Sequence, residues 1–115
     1  MNCVLLSGRL VRDPVIIEKE KYKYGKFTLA VKDYSGSVTY ANCSVANRQA
    51  DITQNYLKKG MLINVQGHLK LRNFEKNGIK MYVTEVSVDS IEFIGNMKKI
   101  ESEDEIENAD DTPFM

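Results

Sequence analysis

Residues 40–71, YANCSVANRQADITQNYLKKGMLINVQGHLKL, read as a strand, a helix and a second strand, and the rest of the chain arranges itself around them. The helix signals agree with one another. Asn47 stands where an N-cap side chain is wanted and Asp51 lies near the positive first turn. Lys58 and Lys59 fall near the negative last turn, and Gly60 follows where a left-handed residue ends a helix. We expect a helix of roughly ten residues, with Ile52, Tyr56 and Leu57 as its apolar stripe and Arg48, Gln49, Gln54 and Asn55 on the wet side. Beyond Gly60, alternation sends Ile63, Val65, Leu69 and Leu71 to one face and Asn64, Gln66, His68, Lys70 and Arg72 to the other. Gly67 falls on the inward parity, where missing bulk lets a strand bend as a closed barrel requires.

Toward the N-terminus, residues 27–34 (FTLAVKDY) alternate as a half-buried strand with Phe27, Leu29 and Val31 inward. Ser35-Gly36 turns the chain and residues 37–45 return it, which makes a hairpin. Residues 3–12 (CVLLSGRLVR) form one long curved strand bent at Gly8, and Asp13-Pro14 ends it. Residues 15–26 contain the basic, aromatic run EKEKYKYGK, read as a solvated connection or a flexible contact surface. Toward the C-terminus, Asn77-Gly78 is the strongest hairpin signal in the chain and leads into a strand over 79–94. Phe27, Tyr56 and Phe93 are expected in the core.

Composition is that of an ordinary globular protein, with 43% hydrophobic and 28% charged residues. No apolar run approaches the ~18 residues of a membrane span, and residues 1–10 lack the pattern of a signal peptide, so a cytoplasmic protein is expected. Cys3 and Cys43, with the single His68, fall short of a zinc site; both are expected as buried reduced thiols, and no cofactor or metal is implied. The net charge of zero conceals an asymmetry. All sixteen Lys and Arg lie between Arg9 and Lys99 with nine acids, which leaves +7, while seven further acids fall after residue 100 and give −7. A basic body with an acidic tail points to a polyanionic partner for the body. The expected division is a folded domain over 1–97 and a disordered acidic tail over 98–115.

Five strands with one helix between the third and fourth describe an all-β OB-fold, a five-stranded Greek-key barrel that binds oligonucleotides or oligosaccharides. An SH3-like barrel or an α+β sandwich fits the same elements but accounts less easily for the position of the helix. Catalysis finds little support. The body's acids, such as Asp13, Glu18, Asp33, Glu75 and Glu85, are scattered, with no nucleophile and base at a recognised spacing and no phosphate-cradling glycine loop.

The segments LSGRLVRDP near the start, FTLAV at 27–31, NYLKKG at 55–60, VQGHLKLRNF at 65–74 and YVTEV at 82–86 occur in an order and spacing that resemble the bacterial and phage single-stranded DNA-binding proteins. The resemblance runs from Asn2 to Gly95. It implies an OB-fold oligomer, usually a homotetramer, that wraps single-stranded DNA without sequence preference and without catalysis. It also implies stacking positions at Tyr34, Tyr40 and Phe74. The local chemistry selects the same three, because sequence-independent contact needs aromatic faces beside a basic track. Lys32, Arg48, Lys70 and Arg72 supply that track, while Tyr22 and Tyr24 sit among Lys21, Lys23 and Lys26. One departure stands out. Where the family commonly carries an aromatic just before the helix, this chain has Ser44-Val45-Ala46, and Ala46 cannot stack, a loss for which Tyr22 and Tyr24 are the candidate compensation.

The tail, ESEDEIENADDTPFM, resembles the acidic tip through which such proteins recruit replication, recombination and repair enzymes, with Asp110, Asp111, Pro113 and Phe114 as the docking residues. Met115 follows the Phe that is commonly terminal in the family. A rival reading is an OB-fold replication or primosome accessory protein acting mainly through protein contacts. Whether DNA or RNA is preferred stays open.

Overall fold

A computed structural model of the chain describes residues 1–95. Along Lys23–Lys32 (β3) and Val38–Ala46 (β4), side-chain alternation separates two environments. Phe27, Leu29, Cys43 and Val45 point into the core, while Tyr24, Lys26, Tyr40 and Ala46 point away from it. The two strands pair antiparallel from Tyr24↔Ala46 to Lys32↔Val38.

The other strands are Val4–Leu10 (β1), Val15–Glu18 (β2), Leu62–Lys76 (β5) and Ile79–Gly95 (β6), and the helix α1 spans Arg48–Tyr56. β1 runs antiparallel to β5 and then crosses to β3 through Arg9↔Ala30 and Leu10↔Leu29. β5 pairs with β6, and β6 meets β4 in a short parallel contact at Cys43↔Val86 and Ser44↔Ser87. The circuit β1–β5–β6–β4–β3–β1 closes, and the fold is the expected OB barrel. Closure brings β1 hard against β3 at Gly8, where any Cβ would stand 2.6 Å from the Ala30 carbonyl oxygen. Gly67 does the same work on β5: a Cβ there would overlap the Ser87 carbonyl, next to the register shift between Gln66 and Gly67.

The barrel interior holds Leu10, Phe27, Leu29, Cys43, Val45, Ile63, Val65, Val86 and Val88. Each fully buried Leu, Ile, Val or Phe contributes roughly 1.5–3 kcal/mol. α1 covers this interior with Ala50 and Thr53, and Leu57, just past the helix end, completes the cover. Ile52 is only half-buried and Tyr56 is 61% exposed, so the stripe is rotated from the expected Ile52–Tyr56–Leu57, and small side chains let the helix approach closely. Phe93, also expected inside, is 45% exposed and meets Tyr56 edge-on at 6.0 Å between ring centroids.

The helix ends depart from expectation as well. Asn47 occupies the N-cap position at φ 52° and ψ −113°, and its side chain makes no capping bond. Its backbone N–H donates to the Lys23 carbonyl at 2.7 Å, which ties the junction to β3 instead. Lys58 and Lys59 lie past the helix end, the Lys59 N–H donating to Asp13 Oδ1 at 2.8 Å. Gly60 has the left-handed φ of 88° but serves the turn into β5, its N–H donating to the Leu10 carbonyl.

Three further expectations are corrected. The segment 15–26 is not a bare connection: β2 pairs with β3 from Val15↔Lys26 to Glu18↔Lys23, and β3 begins four residues earlier than its apolar alternation shows. Cys3 is exposed ahead of β1, whereas Cys43 is buried. Leu69 and Leu71 keep the inward parity but are exposed, because β5 and β6 outrun the barrel as a two-stranded ribbon closed by Asn77 at φ 53° and Gly78 at φ 79°. No helix among the described residues is long and apolar enough to cross a membrane. The acidic segment, with Asp110, Asp111, Pro113 and Phe114, and the boundary at residue 97 lie outside the described residues.

Candidate nucleic-acid interface

The register of β3 on β4 builds one outward face. Across it Tyr24 opposes Ala46, Lys26 opposes Ser44, Ala30 opposes Tyr40, and Lys32 opposes Val38. Tyr40 is 64% exposed, as a ring on the solvent side of a half-buried sheet must be. Tyr34 stands fully exposed in the turn beyond β3. That turn is organised by Asp33, whose Oδ1 accepts from the Ser35 N–H, the Ser35 hydroxyl and the Ser37 N–H at 2.7–3.0 Å. These bonds, the Ser35 hydroxyl first, hold the Asp33 carboxyl below its ordinary range.

The ribbon supplies a second wall. Residues on the even parity of β5, Lys70, Arg72 and Phe74, share one face with Glu85, Val83 and Met81 of β6. The Arg72 guanidinium carbon lies 5.5 Å from the Phe74 ring centroid, and its Nε donates to Glu85 Oε1 at 3.2 Å. Arg72 is thus held between an acid and an aromatic face. Between this wall and the β3–β4 face runs a groove of about 570 Å³, lined by Tyr24, Lys26, Ala46, Lys70, Arg72 and Glu85.

The hairpin of β2 and β3 forms the third part. Tyr22 and Tyr24 stack at 5.8 Å with an interplanar angle of 19°. Lys23 is turned away from this surface toward α1, where its Nζ donates to Asp51 Oδ1 at 2.6 Å and Gln54 Oε1 at 2.8 Å. The bond to Asp51 raises the Lys23 pKa above its ordinary value. Arg48, the first residue of α1, borders the Tyr22 side of the hairpin.

Of the nine residues expected to contact nucleic acid, the geometry gathers Tyr24, Lys70 and Arg72 at one groove, with Phe74 stacked against Arg72 on the same ribbon face. Tyr40 and Lys32 lie on the adjoining β3–β4 face and Tyr22 stacks on Tyr24; Tyr34 and Arg48 sit at the margins. The sequence reading passed over Glu85, Ser44, Ser87 and Asp89, which also line the groove. Glu85 had a findable signal. A two-residue turn at Asn77-Gly78 fixes the pairings by counting, from Lys76↔Ile79 back through Phe74↔Met81 to Lys70↔Glu85. His68, read as an outward residue, reaches Asp89 Oδ2 at 3.1 Å through Nδ1.

The single-strand binding protein family model matches residues 1–94. A single-stranded DNA-binding protein of Bacillus cereus is 38% identical over 82% of this chain and 60% of its own length. Single-stranded DNA-binding protein 1 of Staphylococcus aureus (strain COL) is 39% identical over 82% of this chain and 61% of its own. Single-stranded DNA-binding protein A of Bacillus subtilis is 38% identical over 82% and 59%. The chain therefore spans about three-fifths of the length of these relatives.

Proposed function

Since this chain belongs to the single-strand binding protein family, we propose that it binds single-stranded DNA without sequence readout, by stacking bases on aromatic rings and neutralising phosphates along a basic track. The observation that carries the reading is the gathering of Tyr24, Lys26, Lys70 and Arg72 at one groove, flanked by Tyr40 and Phe74. A strand crossing this surface meets rings in the groove and on both of its flanks, with cations between them. Tyr22 and Tyr24 serve as the platform that Ala46 cannot provide: Tyr24 is the register partner of Ala46 on the same face, and its ring is held parallel to that of Tyr22. Lys32, Arg48 and Tyr34 extend the contact at the margins.

The protein acts by binding, not by catalysis, and protects single strands in replication, recombination and repair. The unit over 1–97 carries the DNA, and the acidic segment over 98–115 docks partner enzymes through Asp110, Asp111, Pro113 and Phe114. It works in the cytoplasm, on the nucleoid, as a homo-oligomer, most simply a tetramer. Exposed Leu5 on β1 and Ile94 on β6 support an assembly that covers that side of the barrel.

Titration with oligo-dT, followed by tyrosine fluorescence across a salt series, tests the central reading. Quenching, weaker binding at higher salt and a large preference over duplex are expected; equal affinity for single and double strands would sink it. Deleting residues 108–115 is expected to leave DNA affinity intact or slightly higher while abolishing partner pull-down. Light scattering with and without oligo-dT gives the subunit number and stoichiometry.

A further inference from the structure

Glu85 is an acid in a site otherwise suited to an anion. It is 8% exposed, and its register partner is Lys70. Its one hydrogen bond among the described residues comes from Arg72 Nε at 3.2 Å, a single contact where a guanidinium can offer a two-pronged fork. An ionised carboxylate has about four lone-pair sites, and a buried one is costly unless several are filled. Glu85 borders the groove, so it retains acceptor capacity toward whatever enters.

Space and polarity in the groove favour one kind of occupant. Ala46 leaves open the volume that a ring at that position would fill, and Tyr24, its neighbour on the paired strand, lines the groove beside it with one ring face stacked on Tyr22. The volume of about 570 Å³ is within the range of small-molecule clefts. A phosphate placed deep inside would meet the buried Glu85, whereas the exposed Lys26 and Lys70 offer it a place nearer solvent. A strand should therefore enter with its base inward and its backbone outward. Ser44 and Ser87, partners across the β4–β6 contact, add hydroxyls to the groove.

Building on the single-strand reading, we propose that this groove adds one base preference to a contact that is otherwise independent of sequence: it is a subsite for a base that carries an exocyclic amino group, cytosine before thymine. Tyr24 is its stacking wall and Glu85 its hydrogen-bond acceptor. Cytosine N4–H donates to the free lone pairs of Glu85, while the serine hydroxyls donate to cytosine O2 or N3. Thymine places its O4 where cytosine places N4, so two acceptors face each other with no proton between them, and both lose solvent without gaining a partner. Arg72 holds Glu85 in place and so acts on this selectivity through position.

The test compares oligo-dC with oligo-dT of equal length at one salt concentration, by tyrosine fluorescence, in wild type, Glu85→Gln and Ala46→Phe. The amide of Gln can donate to thymine O4, and the Phe ring fills the groove at an exposed position. Each substitution is expected to shift the dT-to-dC affinity ratio about five-fold toward thymine. A ratio unchanged in both variants overturns the proposal. A shift with Ala46→Phe alone removes Glu85 from the role, and a shift with Glu85→Gln alone removes the groove. If neither oligonucleotide binds wild type, the single-strand reading itself fails, a result distinct from loss of selectivity alone.

Discussion

Replacing Phe74 by Ala isolates one stacking platform. One face of the Phe74 ring is taken by the Arg72 guanidinium at 5.5 Å, so a single face remains for a base and a single stacking increment is lost. That increment is about 2 kcal/mol, the middle of the range for a base on an aromatic side chain, or roughly thirty-fold in Kd. The Arg72–Phe74 attraction exists in both free and bound protein and largely cancels from the difference. Phe74 pairs with Met81 on the ribbon, outside the barrel core, so its loss should cost stability only the roughly 0.2–1 kcal/mol of a cross-strand pair. The chain has six tyrosines and no tryptophan, so the substitution leaves the fluorescent reporters in place. Titration with oligo-dT at several salt concentrations should give parallel lines, displaced by the thirty-fold factor, because no charge is removed. A Kd within two-fold of wild type in a normally melting variant would refute the placement of a base on Phe74. A change of a whole unit in the salt slope would show that the ring acts through Arg72 and not by stacking.

Lys70→Ala should do the opposite, weakening oligo-dT and oligo-dC equally and flattening the salt slope by about 0.7, the value for one phosphate on a single strand; an unchanged slope removes Lys70 from the phosphate track. Asn47→Gly should stabilise the fold by about 1 kcal/mol, since a non-glycine residue held at φ 52° and ψ −113° stores strain that glycine lacks, partly offset by the greater freedom of unfolded glycine. Thermal melting reads this as a rise of several degrees, and a fall in Tm would show that Asn47 is not strained. Thiol labelling at neutral pH should modify the exposed Cys3 and spare Cys43, whose thiol burial, and then the Glu85 charge, push up to about 12. Because the folded thiol keeps a proton that the unfolded chain gives up near 9.0, this group removes stability as pH rises from 9 toward 12; rapid labelling of both thiols in the folded protein would contradict the burial.

Much of the barrel is legible in local pattern. The alternation of Phe27, Leu29 and Val31, the Asn77-Gly78 turn and the bend at Gly67 are short-range signals, and the tertiary structure keeps each of them. The errors share a cause, which is that local pattern reports parity and not the extent of the core. Leu69 and Leu71 continue the parity of Ile63 and Val65, but they lie on the ribbon past the barrel's edge and stay wet. Tyr56 and Phe93 look like core residues by type, and each lies where the barrel no longer covers it. β2 and the start of β3 were hidden because Lys23, Tyr24 and Lys26 lack apolar alternation; backbone pairing with β2, and the bond of Lys23 to Asp51, hold that segment instead.

By itself the sequence determined the order of the five barrel strands and the helix, the basic body with its acidic tail, and the kinds of side chain that stacking and phosphate contact require, because these depend on composition and on residues within a few positions of one another. Tertiary structure alone decided that Tyr24 stands opposite Ala46, that Arg72 is shared between Phe74 and Glu85, and that a groove opens between the two walls. Those relations depend on barrel closure, which brings β3, β4 and the β5–β6 ribbon together across separations that no local signal spans.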